Sequence, residues 1–119
     1  MNKLTKREEQ IMNIVWKLEK AVIRDIVEGF PEPQPHYNTV ATLVKILVKK
    51  GALKSVKIGN THLYSPAQDF NAYRDESIGK LKAQFFDNSL PKMMAHFAKS
   101  EKLTEEQREE LIKIIKSNK

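Results

Sequence analysis

Apolar residues recur at helical spacing almost from the start of the chain. Ile11, Ile14, Val15 and Leu18 fall at i, i+3, i+4 and i+7, the stripe of an amphipathic helix. Thr5 followed by Glu8 precedes that stripe as a capping box, in which hydroxyl and carboxylate each satisfy a backbone N–H that the first turn leaves without a partner. A helix is therefore expected from about Thr5 to Leu18. Ile23, Ile26, Val27 and Phe30 repeat the pattern briefly, and Gly29 with Pro31, Pro33 and Pro35 then stops it. The fullest match is Val40, Leu43, Val44, Leu47 and Val48, a third helix closed by Gly51. Leu53 to Ile58 and Thr61 to Ser65 are rich in β-formers and flank Gly59-Asn60, a two-residue hairpin signal, with Pro66 ending the second strand.

Beyond Ala67 the strand signals vanish. Phe70, Tyr73, Ser77, Ile78, Leu81 and Phe85 predict a fourth helix of four to five turns. Ser89, with Pro91 in the following turn, predicts a short fifth helix bearing Met93, Met94 and Phe97. A second capping box, Thr104 and Gln107, opens a sixth helix carrying Leu111, Ile112, Ile114 and Ile115. These tail helices hold more apolar surface than so short a segment can bury on itself, which calls for a partner. The expected fold is mainly α with a small β-hairpin: a winged helix-turn-helix DNA-binding domain over residues 1–67 and a helical dimerisation region over residues 68–119. Phe70, Tyr73, Ile78, Leu81, Phe85, Leu111, Ile112 and Ile115 are the expected dimerisation residues, which makes a homodimer the expected state.

Charge sharpens this picture. The 119 residues carry 21 Lys and Arg against 15 Asp and Glu, a net charge of +6. The excess is uneven: residues 1–66 hold 11 cations and 6 anions, residues 67–119 hold 10 and 9. Between Pro33 and Gln68 stand Lys45, Lys49, Lys50, Lys54 and Lys57 with no carboxylate, so the first half carries the positive field that suits a polyanion. On the third helix, Asn38, Thr42, Lys45 and Lys49 fall within about 60° of one another, opposite the apolar stripe. Asn pairs bidentately with adenine, Thr contacts a base edge or a thymine methyl, and Lys reaches guanine or phosphate. These four are the expected base-reading set, Tyr37 and Thr39 at the start of that helix are further expected DNA-binding residues, and Lys54 and Lys57 on the hairpin are expected phosphate contacts.

Other chemistry has little footing. There is no Cys, which removes disulfides, thiolate metal sites and cysteine nucleophiles. His36, His62 and His96 share no metal-ligand spacing, and no GxGxxG, Walker or GxSxG loop occurs. No cofactor, no enzymatic activity and no small-molecule substrate are expected. No apolar run reaches membrane-spanning length, so the chain reads as a cytoplasmic protein. Trp16 is expected in the core, and Tyr64 half-buried under the hairpin.

Specific segments also resemble a known family. Leu4-Thr5-Lys6-Arg7-Glu8 with Ile11-Met12 and Val15-Trp16, then Thr39-Val40-Ala41-Thr42-Leu43 through Lys49-Lys50-Gly51, then Tyr64-Ser65-Pro66, and finally Leu103-Thr104 with Glu109-Glu110-Leu111 together resemble the penicillinase repressor family, the BlaI and MecI repressors with CopY as a relative. The resemblance covers nearly the whole chain. It implies a dimeric repressor on double-stranded, palindromic operator DNA, with tail helices interleaved between subunits. It further implies relief of repression by proteolysis, triggered through a membrane-bound sensor protease that detects β-lactam. The family's cleavage stretch corresponds to Met93 to Ala98, which makes the His96-Phe97 bond the expected cleavage site, His standing where the family typically has Asn. The family often has Arg where Ile46 stands, so base preference does not carry over. The copper-responsive branch bears a C-terminal cysteine cluster that this chain lacks. Two other classes stay open from the residues alone: a non-catalytic interaction module, and a basic protein of the membrane surface.

Overall fold

The computed structural model describes residues 3–100 and 102–117. Its elements are α1 (Lys6–Leu18), α2 (Ile23–Glu28), α3 (Tyr37–Lys49), β1 (Leu53–Ile58), β2 (Thr61–Pro66), α4 (Phe70–Phe85), α5 (Leu90–Ser100) and α6 (Glu105–Ser117). They form two compact units that divide between Tyr73 and Arg74, inside α4. No described helix is long and apolar enough to cross a membrane.

In the first unit, α1 begins where the capping box requires. The Glu8 N–H donates to the Thr5 hydroxyl at 3.2 Å, and the Thr5 N–H donates to the Glu8 carboxylate at 2.8 Å. Ile11, Met12 and Val15 on its inner face are fully buried against Ile26 of α2 and Val40, Val44 and Leu47 of α3. Gly29 permits the α1–α2 approach, since a Cβ there would stand 2.6 Å from the Ile14 side chain. The end of α3 is a Schellman turn: Gly51 donates to the Val48 carbonyl at 3.0 Å and Ala52 to Leu47 at 2.9 Å. That turn needs a left-handed residue, and Gly51 supplies it at φ +85°.

The strands pair antiparallel from Leu53↔Pro66 to Ile58↔Thr61, so Gly59-Asn60 is the whole turn. One contact at the hairpin's base has no signal in the local pattern. Ala21, between α1 and α2, exchanges two hydrogen bonds with Tyr64, at 2.9 and 2.8 Å, as a single bridge of a third strand. Tyr64 is consequently buried rather than half-buried.

At the end of α1, Glu19 has φ 68° and ψ −42°, a conformation natural to glycine and strained for any side chain. Glu19→Gly is expected to stabilise the first unit by about 1 kcal/mol, read as a higher urea midpoint with an unchanged slope.

Trp16 finds its partners far along the chain. Its indole N–H donates to the Gln68 carbonyl at 2.9 Å, and its ring meets Phe70 edge-on at 5.3 Å and Tyr73 at 5.4 Å. The Tyr73 hydroxyl donates to the Glu9 carboxylate at 2.6 Å. Phe70 and Tyr73, expected among the dimerisation residues, thus pack on α1 inside the first unit.

The second unit is built differently. Ser89 caps α5, accepting from the Lys92 N–H at 3.2 Å, and Thr104 and Gln107 form the reciprocal box that opens α6. Asp87 and Asn88, both with positive φ, make the turn out of α4. Among its described residues only Met93 is a buried hydrophobic. Ile78, Leu81, Phe85, Leu111, Ile112 and Ile115 are all exposed, Phe85 by 65% and Ile115 by 68%.

Candidate nucleic-acid interface

The helix best placed to meet a ligand is α3. Its inner stripe locks it into the core, and its outer face holds Asn38, Thr42, Lys45 and Lys49, all exposed. Thr39 and Ile46 lie to one side of that face and Tyr37 to the other, as 100° per residue requires. No acidic residue stands in its first turn. The helix starts at a cap that the periodicity did not reveal. The His36 Nδ1 accepts the Asn38 N–H at 3.0 Å, so this histidine positions the first turn of the outward face. The Thr42 hydroxyl donates to the Asn38 carbonyl at 3.0 Å. Its proton is committed inside the helix, which leaves the methyl group and the oxygen lone pairs to meet a base.

Of the five lysines in the carboxylate-free stretch, Lys50 belongs to the fold rather than to the face. Its Nζ lies 2.6 Å from the Glu8 carboxylate and donates to the Lys3 carbonyl at 3.1 Å. Glu8 is 2% exposed, the one buried charged side chain among the described residues. Burial pushes its carboxyl upward. The Lys50 hydrogen bond, the Thr5 N–H, the Lys50 charge and the Thr5 hydroxyl outweigh that, and the group is held below its ordinary value.

The two hairpin lysines part company. Strand alternation and the observed register put Lys57 with Ser55, His62 and Tyr64 on one face, and Lys54 with Val56, Ile58 and Ser65 on the other. Lys54 lines a cleft with Trp16, Phe70 and two carboxylates, Glu19 and Asp69. Lys57 has no carboxylate among its strand neighbours. The residues brought together around α3 are therefore the four of its outer face with Tyr37 and Thr39. Lys54 stands apart from Lys57.

His96 and Phe97 lie within α5, both exposed, with their rings 5.5 and 6.2 Å from that of Phe86. Among the described residues no group of His, Asp or Glu is arranged to hold a metal ion.

Three helices followed by a hairpin, with the third helix presenting donors and cations outward, define a winged helix-turn-helix DNA-binding protein. The likeness to known proteins makes this specific. The profile of the penicillinase repressors matches residues 4–117, and the chain belongs to that family of repressors. It is 25% identical to the penicillinase repressor of Bacillus licheniformis over 113 residues, 94% of this chain and 88% of that one. Among solved structures it is similar to the DNA-binding domain of the repressor BlaI, at 26% identity and TM-score 0.52, covering 61% of this chain and 94% of that one. It is also similar to monomeric Bacillus licheniformis BlaI in complex with the blaP half-operator, at 25% identity and TM-score 0.51, covering 60% of this chain and 89% of that one.

Proposed function

We propose that this chain represses transcription in the cytoplasm as a homodimer on an inverted-repeat operator of β-lactam resistance or related genes. The observation that carries the reading is the outward face of α3, where Asn38, Thr42, Lys45 and Lys49 stand exposed with no acidic side chain among them. In this reading α3 enters the major groove, about 12 Å wide, and Lys57 on the hairpin meets the phosphate backbone. Residues of α4 beyond Tyr73 and of α6 join the two copies, and two-fold symmetry of the protein dictates two-fold symmetry of the site.

Repression ends by cleavage at the His96-Phe97 bond, triggered by a membrane-bound sensor protease. The exposure of both residues supports this. Because the bond lies inside a helix, α5 opens locally before a protease can hold it extended, and a helix with one buried hydrophobic opens more readily than the core helices of the first unit.

The experiment that tests the DNA reading compares two classes of variant. Lys45→Ala is expected to weaken operator binding by about 1–3 kcal/mol while sparing random-sequence DNA. Thr42→Ala, which removes only a methyl and lone pairs from the face, is expected near the lower end. Lys57→Ala weakens both DNAs alike and lowers the salt slope by about 1. Equal losses on both DNAs for all three variants would remove α3 as the reader.

A further inference from the structure

A second cation-bearing site lies beside α3, and it contains a residue that helical patterning alone does not single out. A cleft of about 360 Å³ opens between the first turn of α2, the first residue of α3 and the tip of the hairpin. Its polar lining is Arg24, Tyr37, Asn60, Thr61 and His62, over a floor that includes Tyr64. The geometry points to a binding site for one phosphate of the DNA backbone, with Arg24 as its charged ligand. The inference rests on the DNA-binding reading above and adds the point at which the backbone is gripped.

Four observations carry it. No carboxylate lines the cleft, whereas the Lys54 cleft on the other side of the hairpin has two. Arg24 is exposed and makes no ion pair or side-chain hydrogen bond with any described residue. Its neighbour Asp25 accepts the Val22 N–H at 3.2 Å and makes no ion pair with the guanidinium. His62 is held in place on both sides: its ring stacks on Tyr64 at 6.3 Å, and its Nδ1 lies 3.1 Å from the Ser55 hydroxyl. When Ser55 donates to Nδ1, the ring proton sits on Nε2 and is open to an acceptor; in the other tautomer Nδ1–H donates to Ser55 and Nε2 accepts. With the Arg24 fork and the Tyr37 hydroxyl, the cleft offers donors and is poor in competing anions. A phosphate diester has the matching chemistry, accepting bonds and carrying one negative charge.

Location argues for the DNA backbone as its source. The cleft joins Tyr37, at the N-terminal end of the reading helix, to Asn60 and Thr61 at the hairpin tip. A strand of duplex running from the groove occupied by α3 toward the hairpin passes over it.

The test uses the full chain, a fluorescent duplex taken from DNA flanking its own gene, and a random-sequence duplex of equal length, titrated at several salt concentrations. Arg24→Ala is expected to weaken binding about tenfold on both duplexes equally and to lower the salt slope by about one, while Lys45→Ala weakens the first duplex only. Thermal melting in sodium phosphate against sodium chloride of equal ionic strength is expected to show no phosphate-specific stabilisation. An Arg24→Ala chain with the affinity and salt slope of the unaltered chain, while Lys45→Ala still loses specificity, overturns the cleft and leaves the DNA reading standing. Phosphate-specific stabilisation that Arg24→Ala abolishes without changing DNA affinity also overturns it, assigning the cleft to free phosphate. An unaltered chain that binds neither duplex overturns both readings together.

Discussion

Lys50→Met is expected to destabilise the first unit by about 2–3 kcal/mol, although the substitution roughly preserves size and removes only an ammonium from a half-buried side chain. The reason lies with its partner. Glu8 is almost wholly enclosed, and taking away the cation leaves a carboxylate out of water with the Thr5 N–H, at 2.8 Å, still donating to it. Breaking one side of a buried pair costs about 3–5 kcal/mol in general. The Thr5 bond that persists places this case below that range. Pairing the change with Glu8→Gln is expected to recover much of the loss, since the buried charge is then gone. The sign of the pH dependence follows from the depressed folded value of Glu8. The carboxylate contributes its stability fully above its ordinary value of about 4.5, and the contribution fades as pH falls through the lower folded value. In Lys50→Met the two effects of the lysine are lost while burial remains, so the carboxyl moves upward and acid relieves the strain. The stability gap between the two proteins therefore narrows as the solution is acidified below about pH 5, as urea midpoints across that range would record. A gap constant with pH would mean that packing, not charge, holds Lys50 in place.

A chain carrying both Phe85→Glu and Ile115→Glu is expected to sediment as a monomer and to bind its operator about 100-fold more weakly, because only one half-site is engaged at a time. Both side chains are more than half exposed, so the changes disturb little inside the chain that carries them. Covering one such Phe or Ile is worth about 1.5–3 kcal/mol, and the second unit exposes six from the expected dimerisation set. A chain that remains dimeric with both glutamates would move the interface away from α4 and α6.

How far the residues alone disclose this protein depends on the reach of each signal. Local signals hold well. Both Thr-led capping boxes, the Schellman glycine Gly51 and the Gly59-Asn60 turn stand within a few residues of the positions that periodicity assigns them. Signals that depend on distant partners do not show. Lys50 looks like any cation of the carboxylate-free stretch until the fold brings it to Glu8, 42 positions away. Phe70 and Tyr73 continue the apolar spacing of α4, yet only tertiary packing shows that the first turn of that helix belongs to Trp16 and Glu9. Lys54 and Lys57 differ by three positions, and a strand's alternation is enough to separate them by face. That separation was available in the pattern. The carboxylates around Lys54 and the donors around His62 were not.

The Ala21–Tyr64 bridge has a consequence for motion along DNA. It fastens the hairpin at its base to the α1–α2 connection, while the strands beyond it, from Ser55 to His62, lie exposed on both faces apart from their own pairing. One bridge at the base and exposure on both faces beyond it are expected to leave the tip more compliant than the base, which is tied to the core that carries α3. A protein sliding over non-specific duplex meets grooves whose width changes with every few base steps. On the proposed reading, in which α3 enters the groove and the hairpin meets the backbone, a compliant tip is expected to track those changes while the reading helix keeps its depth, so that backbone contact is kept through the search and sequence is sampled by a rigid probe.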